Sequence, residues 1–389
     1  MNIAAVSEKK PVSLAELAFV FLKLGTIAFG GPAAHIAMME EEFVARRGWL
    51  TQEEFLDRLA TANLIPGPSS TELAIFIGYG QRGWPGLIVA GCCFIIPAAI
   101  LVSLLASVYV RYGALPQIAG ILYAIKPVVI AIILQALSKL ARTAVKTRLL
   151  AGVAAIAFLL NLFGLNPLFV LVISGILAGI VGLKKQGSVA SGFFTVTKSK
   201  WIPASIVAAT ATAIAVPVSL SRLFLSFLKI GSVVFGSGYV LLAFLRAEFI
   251  TKLHWLSEKQ LIDAVAVGQF TPGPVFTTAT FIGYLVAGIP GALVATLGIF
   301  LPGFLLVAVC GPVIPKLRSS RFASSVMDGV VAGSFALIAV VCLQLARSAI
   351  VDRLTTAIFI VGAIALLRFR INSAWLIAGA ALLGWFIKA

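Results

Sequence analysis

Charge is scarce in this chain: of 389 residues, 11% are Asp, Glu, Lys or Arg, and only 14 are acidic. Histidine is rarer still, with two residues, His35 and His254, and these make no metal site. The four cysteines, Cys92, Cys93, Cys310 and Cys342, lie in apolar runs without zinc-ligand or disulfide-framework spacing, so they read as packing residues. No GxxxxGK[ST] phosphate loop is present, which argues against ATP-driven work by this chain alone. A dinucleotide fingerprint is missing as well, so neither an enzyme nor a cofactor is expected.

Apolar residues are what the chain has in excess. They make up 60% of it, and the mean hydropathy is +1.08, far outside the soluble range. The runs are continuous rather than alternating, which selects an all-α polytopic membrane protein over a β-barrel. The first apolar segment carries no small-residue cleavage site and reads as an uncleaved span. A net charge of +16 fits Lys- and Arg-rich cytoplasmic loops, and there is no basic soluble domain for nucleic acid.

The chain also contains itself twice. Residues 21–74 align with 227–280 without a gap, with 17 of 54 positions identical, and Pro66-Gly67-Pro68 matches Pro272-Gly273-Pro274. The match resumes one residue closer, with Phe76-Ile77-Gly78-Tyr79 against Phe281-Ile282-Gly283-Tyr284. Spans are expected over 85–111, 117–141, 148–164 and 167–183, and again over 290–313, 322–346, 353–367 and 372–388. The front of each copy is different: an apolar helix breaks at Gly30-Gly31-Pro32, and an amphipathic stretch over 51–65 breaks at Pro66-Gly67-Pro68. Each copy thus reads as two broken elements and four spans. With a basic linker over 184–200 and one extra segment over 201–220, this gives nine to thirteen membrane segments. The division is 12–184, 185–220 and 221–389.

Loop charges suggest that the second copy is inverted. In the first, one set of loops carries Arg82, Lys139, Arg142, Lys146 and Arg148, and the opposite set only Arg111. In the second, the equivalent sets carry Arg347 and Arg353 against Lys316, Arg318, Arg321, Arg368 and Arg370. The bias reverses, as expected for inverted-topology repeats.

The breaks are where chemistry is expected. Helix starts inside a bilayer present free N–H groups and partial positive charge, which suit an anion. Candidate binding residues are Gly30, Gly31, Pro32, Pro66, Gly67, Pro68, Ser69, Ser70 and Thr71, with Gly236, Ser237, Gly238, Pro272, Gly273, Pro274, Thr277 and Thr278 in the second copy. Small residues also pack helices in membranes, so each break taken singly has an ordinary explanation. Lys23 and Lys229 occupy matching positions and are candidates to attract an anion or to snorkel to the interface. Glu72 opens the helix after the first triplet and is a candidate for proton coupling. Lys126, whose partner is Val331, is a weaker candidate. Glu42/Glu248, Trp49/Trp255 and Asp57/Asp263 recur in the connecting segments and are expected to fix the loops.

The stretches FGGPAAHIAMMEEEFVARRGWL, NLIPGPSSTELAIFIGYG, FGSGYVLLAFLRAEF, WLSEKQLIDAVAVGQFTPGPVFTTATFIGY and PGALVATLGIFLPGF closely resemble the chromate ion transporter (CHR) family in its two-domain form. The resemblance implies a secondary transporter exporting chromate across the bacterial inner membrane, conferring chromate resistance, with sulfate as the structural analogue. It supplies no agreed binding residues. Partners are then the oxyanion and the bilayer, with homodimerisation left open. The alternative on the same scaffold is a proton-coupled sulfate or oxyanion importer. The chain departs from strict repetition where Gly31-Pro32-Ala33 faces Ser237-Gly238-Tyr239, which suggests unequal halves.

Overall fold

A computed structural model describes residues 12–387, apart from 30, 64, 114, 185–216, 235–237, 311–320 and 370. The expected linker, most of segment 201–220, and Gly30, Gly236 and Ser237 fall outside the described residues. Among the described residues there is no strand. The elements repeat in order. In the first copy they are α1 (Leu14–Ile27), α2 (Gly31–Glu40), α3 (Gln52–Ala62), α4 (Ser69–Tyr112), α5 (Pro116–Ala144), α6 (Arg148–Leu162) and α7 (Pro167–Lys184). The second has α8 (Leu220–Val233), α9 (Leu241–Leu245), α10 (Glu258–Phe270), α11 (Thr278–Cys310), α12 (Arg321–Ala349), α13 (Arg353–Leu367) and α14 (Ser373–Ile387). Among the described residues, four stretches are long and apolar enough to cross a membrane: Ser69–Tyr112, Gln117–Ala144, Val275–Val309 and Ser324–Ala349. The chain is a polytopic helical membrane protein.

Matching caps set matching helix starts. Thr51 accepts from Glu54 N while the Glu54 side chain returns to Thr51 N, and Ser257 and Gln260 close the same box before α10. Thr147 caps α6 and Asp352 caps α13.

The short helix expected after each triplet and the span beyond it form one interrupted element. Within α4 the backbone leaves helical geometry at Arg82 and Gly83, where Gly83 adopts φ 58°, ψ −140°. In α11 the same happens at Ala287 and Gly288, with Gly288 at φ 61°, ψ −149°. Only glycine holds that conformation without strain. Each element is therefore a hairpin of a short and a long arm. The arms touch backbone to backbone, because a Cβ on Gly78 would strike the Gly86 carbonyl and one on Gly283 the Gly291 carbonyl. Thr280 and Thr296 hydrogen-bond across the second hairpin at 2.7 Å.

The two copies are interleaved. In each copy the first helix packs on its own hairpin, α1 on α4 and α8 on α11, and the two hairpins pack on each other. Beyond the hairpins the partners are exchanged: α5 lies against α13 and α14, whereas α12 lies against α6 and α7. Gly384 sits on Ile121, a Cβ there lying 2.9 Å from its Cα, and the equivalent Gly179 sits on Val326. Gln135 Nε2 donates to Leu366 O at 2.9 Å, and the Tyr123 hydroxyl bonds the Asp352 carboxylate, both across the copies.

Candidate functional site

The two Pro-Gly-Pro turns meet the opposite copy at the same kind of place. Gly67 N–H donates to Val234 O at 2.6 Å, and Gly273 N–H donates to Ala28 O at 3.0 Å. Ala28 and Val234 are equivalent positions, each the residue just past the end of its first helix. Each turn glycine thus satisfies the loose end of the other copy's first helix. Gly67 has φ 133° and Gly273 φ 85°, so both need glycine. Gly273 also needs space, since a Cβ would come 2.6 Å from Ala98 Cβ and 3.1 Å from Gly25 O.

The short arm of α4 is shorter than the hydrocarbon core of a bilayer. From Ser69 to Gln81 is 13 residues, about 20 Å at 1.5 Å per residue, against a hydrocarbon core of about 30 Å. A Gly83 corner at the membrane surface would place the break well inside. Irregular backbone at that depth is tolerated only against protein or a wet cavity.

The first copy's break is polar. Ser69, Ser70, Thr71 and Glu72 are all buried at the start of α4, with Pro68 O accepting Thr71 N at 2.7 Å and Glu72 N at 3.1 Å. The Glu72 carboxyl lies against Gly67 of the turn, and a methyl on Gly303 of α11 would stand 3.7 Å from its Oε1. Neither Glu72 oxygen, nor Thr71 Oγ1, has a hydrogen-bond partner among the described residues. Pro32 occupies the first turn of α2, the helix position that tolerates it best, after Gly31 at φ 74°.

His35, read in the sequence only as no part of a metal site, stands in the middle of this arrangement. It is buried, with Nε2 3.0 Å from Ala28 O and Nδ1 3.2 Å from Ser70 Oγ. A carbonyl only accepts, so Nε2 carries the hydrogen and, in the neutral ring, Nδ1 accepts from the Ser70 hydroxyl. Ala28 O therefore takes two donors, His35 and Gly273. One ring ties the end of α1, the start of α4 and the second copy's turn together.

The second copy's break is drier. Thr277 Oγ1 donates to Pro274 O and Thr278 Oγ1 to Val275 O, both at 2.8 Å, which leaves the hydroxyls with lone pairs rather than hydrogens to offer. Leu241 stands where the first copy has His35, and Gly238 lies against Phe276. Pro272, Gly273 and Pro274 are all buried.

The matched lysines are not gathered at the breaks. Lys23 lies 3.8 Å from Glu42, and Lys229 lies 3.0 Å from Glu248. Each glutamate sits in a π-helical turn, Glu41–Arg46 or Arg246–Lys252, and collects further cations. Glu42 takes Arg47 Nε at 2.7 Å and Arg46 at 3.2 Å, and Glu248 takes Lys252 at 2.7 Å. Arg47 holds the Glu42 carboxyl below its ordinary value. Burial opposes ionisation of Glu248, but the Lys252 and Lys229 ammoniums outweigh it and hold its value down too. Two cavities open at opposite ends of α5. One, of about 740 Å³, is lined by Ala34, Ser138, Lys139 and Arg142. The other, of about 480 Å³, is lined by Tyr109, Lys126 and Lys259.

Comparison with known proteins agrees in one direction. A family model described as chromate transporter matches residues 15–183 and again 221–385. A chromate transport protein of Cupriavidus metallidurans is 33% identical over 385 residues, covering 96% of this chain and 92% of the relative. A probable chromate transport protein of Synechococcus elongatus is 32% identical, covering 91% and 89%. An uncharacterized transporter of Bacillus subtilis, YwrA, is 28% identical over 171 residues, which is 42% of this chain but 95% of that protein. No solved structure matches the chain.

Proposed function

The chain belongs to the chromate transporter family, and on that premise we propose that it is a secondary transporter carrying chromate outward across the bacterial inner membrane, giving chromate resistance. The observation that carries the mechanism is the reciprocal pair of turns, Gly67 on Val234 and Gly273 on Ala28, each beside a new helix start. A dianion is held between the copies by the first N–H groups of α4 and α11 and by the Ser69 and Thr71 hydroxyls, with Gly31 and Gly238 at the second pair of breaks. Lys23 and Lys229, already held by glutamates, set the surrounding field without touching the anion. Sulfate, with the same charge and shape, is the natural competitor.

Inverted repeats make alternating access simple, since rocking one copy against the other exchanges inside and outside. Helix register supports inversion. Gly91 lies 8 residues beyond the Gly83 corner, about 12 Å along the long arm, and it packs on Phe304, 16 residues or about 24 Å beyond Gly288. Corners on opposite faces put both residues at one depth in a slab of about 36 Å, whereas corners on one face leave them about 12 Å apart. On this reading the chain divides as 12–184, 185–220 and 221–389.

Export needs no coupling ion. Two negative charges leaving across 100 mV, inside negative, release about 4.6 kcal/mol, enough for more than a thousandfold gradient. A second reading, proton-coupled oxyanion uptake, draws on Glu72, whose buried carboxyl has no partner among the described residues. A proton would compensate that charge as the anion moves.

Labelled chromate flux into everted vesicles, with an imposed potential and a sulfate competition series, separates the readings. Potential-driven, sulfate-inhibited uptake into the everted lumen supports export. Flux that requires a proton gradient supports the coupled carrier, and no flux under either removes both.

A further inference from the structure

The polar cluster farthest from strict repetition lies away from the breaks. Lys126 of α5 forms an ion pair with Asp263 of α10, with Nζ 3.1 Å from Oδ1, at an angle that leaves Oδ1 without a hydrogen bond among the described residues. The Tyr109 hydroxyl, at the end of α4, donates to Oδ2 at 2.9 Å. Asp263 is completely buried, whereas the Lys126 side chain keeps 12% of its surface. That residual surface belongs to the wall of the cavity of about 480 Å³, which Tyr109, Lys259, Gln260 and Ser348 also line.

Repetition gives no reason for this pair. Its equivalents in the other copy are Val331 and the exposed Asp57, so an ion pair required by the fold would be expected twice and occurs once. It lies ten residues into α5, about 15 Å from the helix start, where a charge is costly unless it is used. From Asp263, α10 runs to Phe270 and so to the Pro272-Gly273-Pro274 turn. The cavity, the pair and the second break follow one another along a single helix.

Building on the transport reading above, we propose that Lys126 is an anion-binding residue on the path to the breaks, with Asp263 as the internal stand-in that occupies its ammonium when no anion is present. The arriving dianion displaces the carboxylate from Lys126, and Tyr109 keeps Asp263 hydrogen-bonded meanwhile. A buried carboxylate that gives up its cation needs such a second donor, and Tyr109, whose ring packs edge-on against Phe281, is held in place to be one. The pair also joins the first copy's α5 to the second copy's α10, so exchanging partners loosens a contact that relative movement of the copies must break.

The test is equilibrium binding of labelled sulfate and chromate to the full-length protein in lipid nanodiscs, paired with vesicle flux. Lys126→Gln should raise Kd about tenfold or more, the loss of one charge-assisted contact. Asp263→Asn frees the ammonium and should lower Kd several-fold while slowing release. The double variant Lys126→Gln with Asp263→Asn leaves no orphaned charge, so it should fold and bind as weakly as Lys126→Gln alone. The exchanged pair, Lys126→Asp with Asp263→Lys, restores the ion pair and should still bind weakly. Wild-type affinity in both the double variant and the exchanged pair would make the pair a structural tie and overturn the proposal. Absence of anion binding by the unsubstituted protein would instead overturn the transport reading, and this inference with it.

Discussion

The two Pro-Gly-Pro breaks share a backbone and differ in nearly every polar side chain around them. In the first, His35, Ser70, Thr71 and Glu72 crowd a buried helix start. In the second, the equivalent positions are Leu241, Phe276, Thr277 and Thr278, and both threonine hydroxyls are turned back onto their own turn. Duplication supplies the geometry twice, but chemistry is kept at one end. The symmetric parts (turn glycines, helix caps, glutamate clamps) are those a rocking scaffold needs in pairs. The asymmetric parts are those proposed above to meet substrate or protons.

This contrast can be broken most sharply at Glu72. Glu72→Leu should abolish transport driven by a proton gradient, with a fall of at least about tenfold, while Thr278→Val at the equivalent position should retain most activity. Equal losses in vesicle flux would mean that the breaks are equivalent. Next in size is His35→Leu, which copies the second break into the first. It strands the Ser70 hydroxyl and removes one of two donors to Ala28 O, so it should cost about 1–3 kcal/mol in unfolding measurements and reduce flux as well.

Gly67→Ala forces a side chain into a conformation at φ 133° that also faces Glu72. It should lower thermal stability by about 1–3 kcal/mol, and Gly273→Ala should do the same if the turns are structurally equal. Smallest is the effect of acid on the glutamate clamps. Glu42 and Glu248 have folded values below their ordinary 4.5, so their contribution is complete above that pH and fades as pH falls through the folded values. Melting temperature should therefore drop on acidification below about pH 4.5, and the paired variant Glu42→Gln with Glu248→Gln should flatten that drop. The two single variants should behave alike, because here the copies match.

Much of this was legible in the chain. The repeat, the breaks and the apolar helices follow from Pro, Gly and apolar runs, because those residues act locally on the backbone, although only four of the described helices are long enough to cross a membrane. The resemblance to chromate transporters rests on long motif blocks and agrees with the family found. Interleaving was not legible: nothing local says that α5 packs on α13 and α14 rather than on α6. For the same reason Asp263 was read as a loop-fixing residue and Lys126 as a weak candidate, since their partnership joins positions 137 apart and in different copies. His35 was discounted as a metal ligand, and its apolar partner Leu241 was not considered. Its missing counterpart was the available signal: where one copy carries an ionisable side chain and the other does not, as at His35/Leu241, Glu72/Thr278 and Lys126/Val331, the repeat departs from itself.

Exchange of helices between the copies bears on how the protein is made. As the ribosome delivers the first copy, α5, α6 and α7 reach the membrane without the helices that will cover them. α5 must wait for α13 and α14, and α6 and α7 for α12. During synthesis α6 and α7 have chiefly each other to pack on, α5 rests against lipid and insertion machinery, and the molecule closes only when its last helices arrive. A half-length relative that shares this packing would need a second polypeptide for the same closure, so its assembly and its folding would be a single event.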